Sequence, residues 1–465
     1  MPSVDVPQEI ESDLSAETQP EKSAEPAEPV VLPCSQPTVS PSGTTADTVV
    51  LEKRGRRFLP RKDARFTNDR LSAVGLLELA NASDFPANIW NETPVPIYAV
   101  VLMAIGGTVA LVLSVFAFAD ARRSWHNVRF LRRERHALLR EKAERLKESQ
   151  PVKELDVLLD VNFRDLGNEM INRCGMDILM GCGAVLVGVG TYMAIGGNNY
   201  NVWFASNLLS GYIGNAPLAL YGLASAMWSV YLCWSVSQRL GVASVALKDS
   251  PVVLDVLRQR TRRIQIFSVV SAAISLVGGA ASLITSTMWW GYAMLIPVII
   301  LSMFCNSLWR RRVGYSRPFS ATTPGMTSRT LLVDKVEFAV TASEVIKKQP
   351  SAPFGGLGAD SSSLASVLEF VVAVDLFEAL SVVLANDACL SADLFPTPGV
   401  GEMTVQVADL LAAPKELHPG IVEAARKCLV ELGPRHFQDR QQYFVETLAS
   451  SLCIMGTSPR HSSPS

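Results

Sequence analysis

Five histidines (His126, His136, His418, His436 and His461) and eight cysteines (Cys34, Cys174, Cys182, Cys233, Cys305, Cys389, Cys428 and Cys453) are the side chains from which a metal centre or a thiol nucleophile would be drawn. They contain no Cys-x-x-Cys pair and no Cys/His spacing suited to zinc. Gly-x-Ser-x-Gly, a phosphate-binding glycine loop and an Asp-rich diphosphate motif are also missing. Spacing therefore points to no catalytic residue, no metal and no cofactor. An enzyme would have to assemble its site from His and acids scattered over separate loops. Two Asn-x-Ser/Thr sequons make Asn81 and Asn91 candidate N-glycosylation acceptors. Pro94 follows the Thr of the second, so Asn81 is the better of the two. A last set is polar but uncharged: Thr191, Ser225, Ser229, Ser275 and Asn306 sit inside otherwise apolar stretches. Their convergence on one lumen would indicate transport.

The elements that must position these residues are membrane helices. Pro96 to Ala119 is 24 residues without a charge, about 36 Å as a helix against about 30 Å of hydrocarbon. It anchors a first span at 94–119, and hydropathy places further spans at 176–196, 216–237, 266–285 and 289–309. None carries a charged residue away from its ends, where a proton relay or ion-coupled carrier would need one. The intervening segments 120–175, 238–265 and 310–317 hold 13, 6 and 4 Lys or Arg, whereas 76–95, 197–215 and 286–288 hold none. The positive-inside bias makes the basic side cytosolic and the N-terminal side outer or lumenal. The membrane is thereby either the plasma membrane or an endomembrane.

Residues 1–93 are expected to be a disordered extracytoplasmic tail, since 1–50 hold eight prolines and nine acids with few large apolar side chains. No basic stretch followed by an apolar core marks a cleavable signal peptide. The first span must then carry across the tail's basic cluster, Lys53, Arg54, Arg56, Arg57, Arg61, Lys62, Arg65 and Arg70. Leu-Glu-Lys-Arg ending at Arg54 resembles a dibasic processing site, and a solvated charge run is the plainer reading. After the first span, 120–148 and 151–170 read as amphipathic helices, either a hairpin along the cytosolic leaflet or a stop-transfer cluster with a linker. Arg122 to Lys147 is suited to anionic lipid, and nucleic acid need not be invoked. Residues 318–456 read as a cytosolic helical domain and 457–465 as a disordered tail. Within it Leu364 to Leu384 is strongly apolar but carries Glu369, Asp375 and Glu378. Three acids at about 2.5–3.5 kcal/mol each outweigh its insertion, which favours a buried soluble helix over a sixth span. Gly433-Pro434 is expected to end a helix, and Asp439 with Gln442 to cap the next.

Small residues mark helix packing: Ser271, Ser275 and Gly279 in the fourth span, Gly188 in the second and Gly222 in the third. A homo-oligomer through the fourth span is one use for them, and packing within the chain is another. The run His418 to Phe444, following several hydrophobic spans, resembles uncharacterised multi-pass integral membrane proteins of filamentous fungi. That resemblance implies a setting and no activity. The fold expected is an all-α, five-span bundle with a cytosolic helical C-terminal domain. The leading function is a membrane-anchored scaffold or adaptor that recruits cytosolic protein partners. The alternative is a transporter or channel subunit, and a membrane enzyme is third.

Overall fold

The computed structural model describes residues 47–61, 65–90, 94–285, 287–319, 327–395 and 401–456. Five helices are long and apolar enough to cross a membrane, and a large helical C-terminal region is docked on one end of their bundle. At the chain's start, strands β1 (Thr48–Arg54), β2 (Arg57–Pro60) and β3 (Arg65–Phe66) precede two short helices, α1 (Glu78–Ala82) and α2 (Phe85–Ile89). Helix α3 (Ile97–Lys147) then runs unbroken for 51 residues, about 76 Å at 1.5 Å per residue. Its first half is the apolar span and its second half the basic stretch. Ser149 takes a positive φ of 54°, and α4 (Lys153–Glu169) returns antiparallel. Leu138 packs on Leu155 and Leu158 between them, with Lys142 bonded to Asp156 at 2.5 Å. The expected hairpin therefore exists, but continuity with α3 carries it off the span instead of laying it along the leaflet.

A wide turn at Met170–Gly175 leads into α5 (Met176–Ala194). The outer loop is helical: α6 (Tyr200–Asn207) docks on α5 through Ser206 Oγ donating to the Gly190 carbonyl at 2.8 Å. Helices α7 (Ala216–Ala246) and α8 (Pro251–Ile284) form a tight antiparallel pair, and α9 (Trp290–Leu308) follows with Pro297 inside it. Strand β4 (Arg317–Pro318) pairs antiparallel with β3.

The C-terminal region is α10 (Arg329–Lys348), α11 (Pro353–Gly356), α12 (Leu364–Ala373), α13 (Phe377–Asn386), α14 (Ala388–Leu394), β5 (Glu402–Gln406), α15 (Val407–Leu411) and α16 (His418–Gly456). Asp375, at a φ of 59°, breaks the apolar run 364–384 into two ten-residue helices. Each is about 15 Å long, half a bilayer core. Both bury Val367, Leu368, Phe370 and Leu380 against Ile421, Leu429 and Phe437 of α16. Helix α16 corrects two expectations. It runs straight through Gly433-Pro434, because α10, α12 and α13 hold it from several sides and a proline breaks only one ladder bond. Asp439 and Gln442 are mid-helix, where they receive the Ser316 backbone N–H at 3.0 Å and an Arg260 N–H at 2.8 Å.

His436 on α16 donates Nε2–H to the Val374 carbonyl at 2.7 Å. Burial, with Arg440 beside it, lowers its imidazole to about 4, against about 6.5 in an unfolded chain. Between these values the unfolded chain takes up a proton that the folded chain refuses. The contribution is whole above about pH 6.5 and is lost as pH falls towards 4, by on the order of 3 kcal/mol at most. Asp439, raised by burial to about 6, works in the opposite sense, so a variant is needed to isolate the histidine. His436→Gln keeps a donor for Val374 and is expected to flatten the acid-side fall of Tm. Equal slopes for wild type and variant, from about pH 7 to about pH 5, would refute this.

The expected tail requires a second correction, for residues 47–61 and 65–90 are folded. β1 pairs with β2 and, on its other edge, with β5 of the C-terminal region, Val49 opposite Val405 and Leu51 opposite Met403. Arg65 reaches Asp375 at 3.0 Å and Glu378 at 3.6 Å. The strands β1 and β2 thus lie at the same end of the bundle as the C-terminal region, while residues 1–46 of the expected tail lie outside the described residues. From there the backbone runs the length of α9. Asn68 donates to the Arg310 carbonyl at 3.2 Å and Asn306 to those of Leu71 and Ser72 at 3.1 and 3.0 Å, while Asn88 and Asp84 bond Tyr292 near the helix's opposite end. Asn306 and Tyr292 are about 21 Å apart along the helix. An interrupted segment, a 3-10 turn at Ala73–Leu76 followed by α1 and α2, therefore threads between α3, α5, α8 and α9. It is short, and Glu78, Asn81, Asp84 and Asn88 interrupt its apolar residues, which is why hydropathy passes over it. Leu79 and Phe85 are exposed, but the rest of the segment is packed against protein, which makes its non-helical backbone tolerable at that depth.

Candidate functional site

The interrupted segment brings charge into a bundle whose own helices carry none at mid-span. Glu78, on α1, is buried and accepts a hydrogen bond from Asn81 Nδ2 at 2.9 Å, its one side-chain partner among the described residues. A Cβ placed on Gly278 would lie 3.6 Å from the Glu78 carboxylate and 3.2 Å from Val298, so the acid sits level with the middle of α9. Nearer the end of the bundle away from the C-terminal region, Asp84 is fully buried and accepts from the Tyr292 hydroxyl at 2.9 Å and from Asn88 at 3.0 Å.

Glu78 faces a cavity of about 50 Å³ whose walls come from the segment and from α5, α7, α8 and α9. At about 10–15 Å³ per water, it has room for about three to five waters. Arg70, Tyr221, Ser225, Ser271, Ser275, Ser302 and Asn306 supply its polar lining. Ser275 Oγ donates to Ser225 Oγ at 3.1 Å, and the Tyr221 hydroxyl donates to the Ile171 carbonyl. Arg70 Nε, Asn172 Oδ1 and Asn306 Oδ1 are buried in the lining with no hydrogen-bond partner among the described residues. Unsatisfied buried groups cost about 1–3 kcal/mol each, so three around one hydrated space mark a place where something polar is held.

Of the five polar residues singled out in the sequence, Ser225, Ser275 and Asn306 meet at this cavity. Thr191 does not: it donates back to Val187 within α5 at 2.8 Å. Ser229 is buried outside the lining. Of the packing residues, Ser271, Ser275 and Gly279 line the cavity, and Gly279 and Gly222 also seat α7 on α8. A Cβ on Gly222 would collide with the Ser275 carbonyl, one on Gly279 would stand 3.0 Å from Ala219 Cα, and one on Gly188 would stand 3.1 Å from the Gly107 carbonyl. The small faces are occupied within the chain. Asn81 is buried, and its amide nitrogen, the atom a glycan needs, is given to Glu78. Asn91 lies outside the described residues.

Below the cavity a charged cluster closes the bundle towards the C-terminal region. Arg173 bonds Asp120 at 2.9 Å, Asp69 at 2.8 Å and Glu169 at 3.4 Å. Beyond it a second cluster ties the region to the helices. Arg317 grips Glu134 of α3 with two bonds of 2.6 and 2.7 Å and Asp165 of α4 at 3.0 Å. Arg260 of α8 bonds Glu446 of α16 at 2.8 Å, and Arg164 stands 3.4 Å from the same carboxylate. Burial works to raise Glu446, but the guanidinium groups of Arg260 and Arg164 hold it below the usual carboxylate range. The basic extensions and the acid-bearing α16 are therefore one body. A second cavity of about 30 Å³ lies among these groups, and Phe267 is a wall of both cavities.

The acids Glu78 and Asp84 escaped the sequence reading. Their signal was the awkward basic cluster ahead of them, which no translocated tail explains well. Among the described residues no three His, Cys, Asp or Glu come together to hold a metal ion. No family model, no curated protein and no solved structure matches the chain. What stands is a multi-pass helical membrane protein with a large helical C-terminal region.

Proposed function

We propose that the protein is a transporter or channel-like subunit, and that the cavity at Glu78 holds what it moves. The observation that carries this is a cavity at mid-bundle, lined in part by Arg70, Ser275 and Asn306, with a buried carboxylate on an interrupted helix. Ionisable groups at that depth are costly and are kept where a pathway needs them, and broken helices are where carriers place their sites. The scaffold reading draws less support, because the C-terminal region spends α16 and β5 on its own chain. Both the strands at 48–66 and the C-terminal region are assigned to the cytosolic side. This returns the seven bases from Lys53 to Arg65 to the side the positive-inside bias favours. The exposed arginines Arg122, Arg129, Arg132 and Arg133 beside Trp125 are suited to anionic headgroups at the same face.

A water-filled site is expected to admit a small thiophilic ion. In sealed vesicles carrying the full-length chain, silver ion should block the thiol introduced by Ser271→Cys from alkylation after later denaturation. The thiol introduced by Val230→Cys, on the exposed outer face of α7, should stay free. Equal protection at both positions, or none at either, would end the transport reading.

A further inference from the structure

We infer that the species carried is the proton, and that Glu78 is the group that takes it up and releases it. The inference rests on the transport reading and narrows it. The cavity accommodates a few waters and no organic solute. Its one carboxylate is faced by the Arg70 guanidinium, which repels a metal cation, so fewer anionic ligands are present than an alkali or alkaline-earth ion would demand. A carboxylate bonded only to an amide, with water beside it, needs no partner that a proton cannot replace.

Carboxylates continue the line on both sides. Towards the outer end Asp84 lies six residues on, across the break between α1 and α2, and accepts from Tyr292 and Asn88. Towards the C-terminal region stand Asp120 and Asp69, joined through Arg173. The side chain of Asp69 is 40% exposed, so this line ends in water. A proton arriving from Asp84 would protonate Glu78, and its departure through the cavity waters would restore the carboxylate, with nothing else consumed. The titratable or charged groups facing Glu78 are Arg70 on its own segment, Tyr221 on α7 and Cys305 on α9, with Asp177 of α5 and Asp120 of α3 beyond Arg70. Helix α8 presents no titratable group there, only Phe267, Ser271, Ile274, Ser275 and Gly279. Phe267, 3% exposed and packed on Trp309 with ring centroids 4.8 Å apart, separates this space from the second cavity. It is the apolar barrier that keeps the two waters apart.

The test is proton flux into liposomes holding the purified full-length protein, driven by a potassium gradient with valinomycin and read with an enclosed pH-sensitive dye. Wild type should exceed protein-free vesicles, Glu78→Gln should fall to their level, and Glu78→Asp should retain flux. Phe267→Ala should raise it. Glu78→Gln keeps shape and the Asn81 bond, and a monodisperse elution equal to wild type excludes a folding defect. Flux in Glu78→Gln equal to wild type, or radioactive sodium uptake in place of proton flux, would overturn the assignment. Silver access to the cavity with no proton flux would leave the transport reading standing and remove the proton from it.

Discussion

Arg317→Met is expected to destabilise the protein by about 3–5 kcal/mol, the cost of leaving a buried charge without its partner. Arg317 is 2% exposed and joins Glu134 and Asp165, which are themselves 0% and 5% exposed. Methionine fills much of the volume but neutralises neither acid. The damage should be directional, because the arginine stands between α3, α4 and the connector that enters the C-terminal region. Thermal unfolding in detergent should show a lower Tm, and limited proteolysis should release the C-terminal region first. Adding Glu134→Gln should recover part of the loss, since the amide suits the Asn162 side chain that now donates to Glu134 at 2.7 Å. A single variant as stable as wild type would mean that this cluster does not hold the two parts together.

That cluster also shows which features were legible before the fold was known. The five long apolar helices could be read because a span needs only length and freedom from charge, both linear properties of the chain. The basic loops were visible for the same reason. Arg317 was countable as one of four bases after the fifth span, yet its partners lie 183 and 152 positions away, and no local pattern encodes such a pairing. Pro434 misled because helix-breaking is a local tendency, and α16 is held by tertiary contacts that outweigh it. Glu78 and Asp84 misled more deeply. Hydropathy rejects a segment interrupted by acids and amides as a crossing, since it weighs each residue against lipid, whereas most of 72–90 is packed against protein. Asn81 was a sequon by its letters and became the one amide able to hold Glu78.

Gly106→Leu is expected to expel that interrupted segment, with the largest effect of any single change in the bundle. A Cβ at 106 would collide with the Ser83 carbonyl, at the junction between α1 and α2. The obstacle is backbone, so no rotamer change relieves it. Overpacking by a few methylenes costs about 1–3 kcal/mol where neighbours can yield, and here the neighbour cannot yield without moving the turn that places Glu78 and Asp84. Once displaced, the segment would expose two acids and several unpaired carbonyls to hydrocarbon, so the segment should leave as a unit. Its strands would then lose their fixed approach to β5 and β4. The expected result is rapid tryptic cleavage among Lys53, Arg54 and Arg57 in a protein whose five apolar helices still insert. Gly241→Leu is the control, because no atom lies within 4 Å of a Cβ there. Wild-type cleavage in Gly106→Leu would show that α3 does not hold the segment in place. Cleavage enhanced equally in both variants would show a general intolerance of leucine instead of a specific contact. The close approach explains why the first span, otherwise built from large apolar residues, keeps a glycine pair at that height: Gly106 admits the Ser83 backbone and Gly107 the Tyr192 ring. Both faces of α3 are thereby committed at one level, one to the buried acids and one to α5.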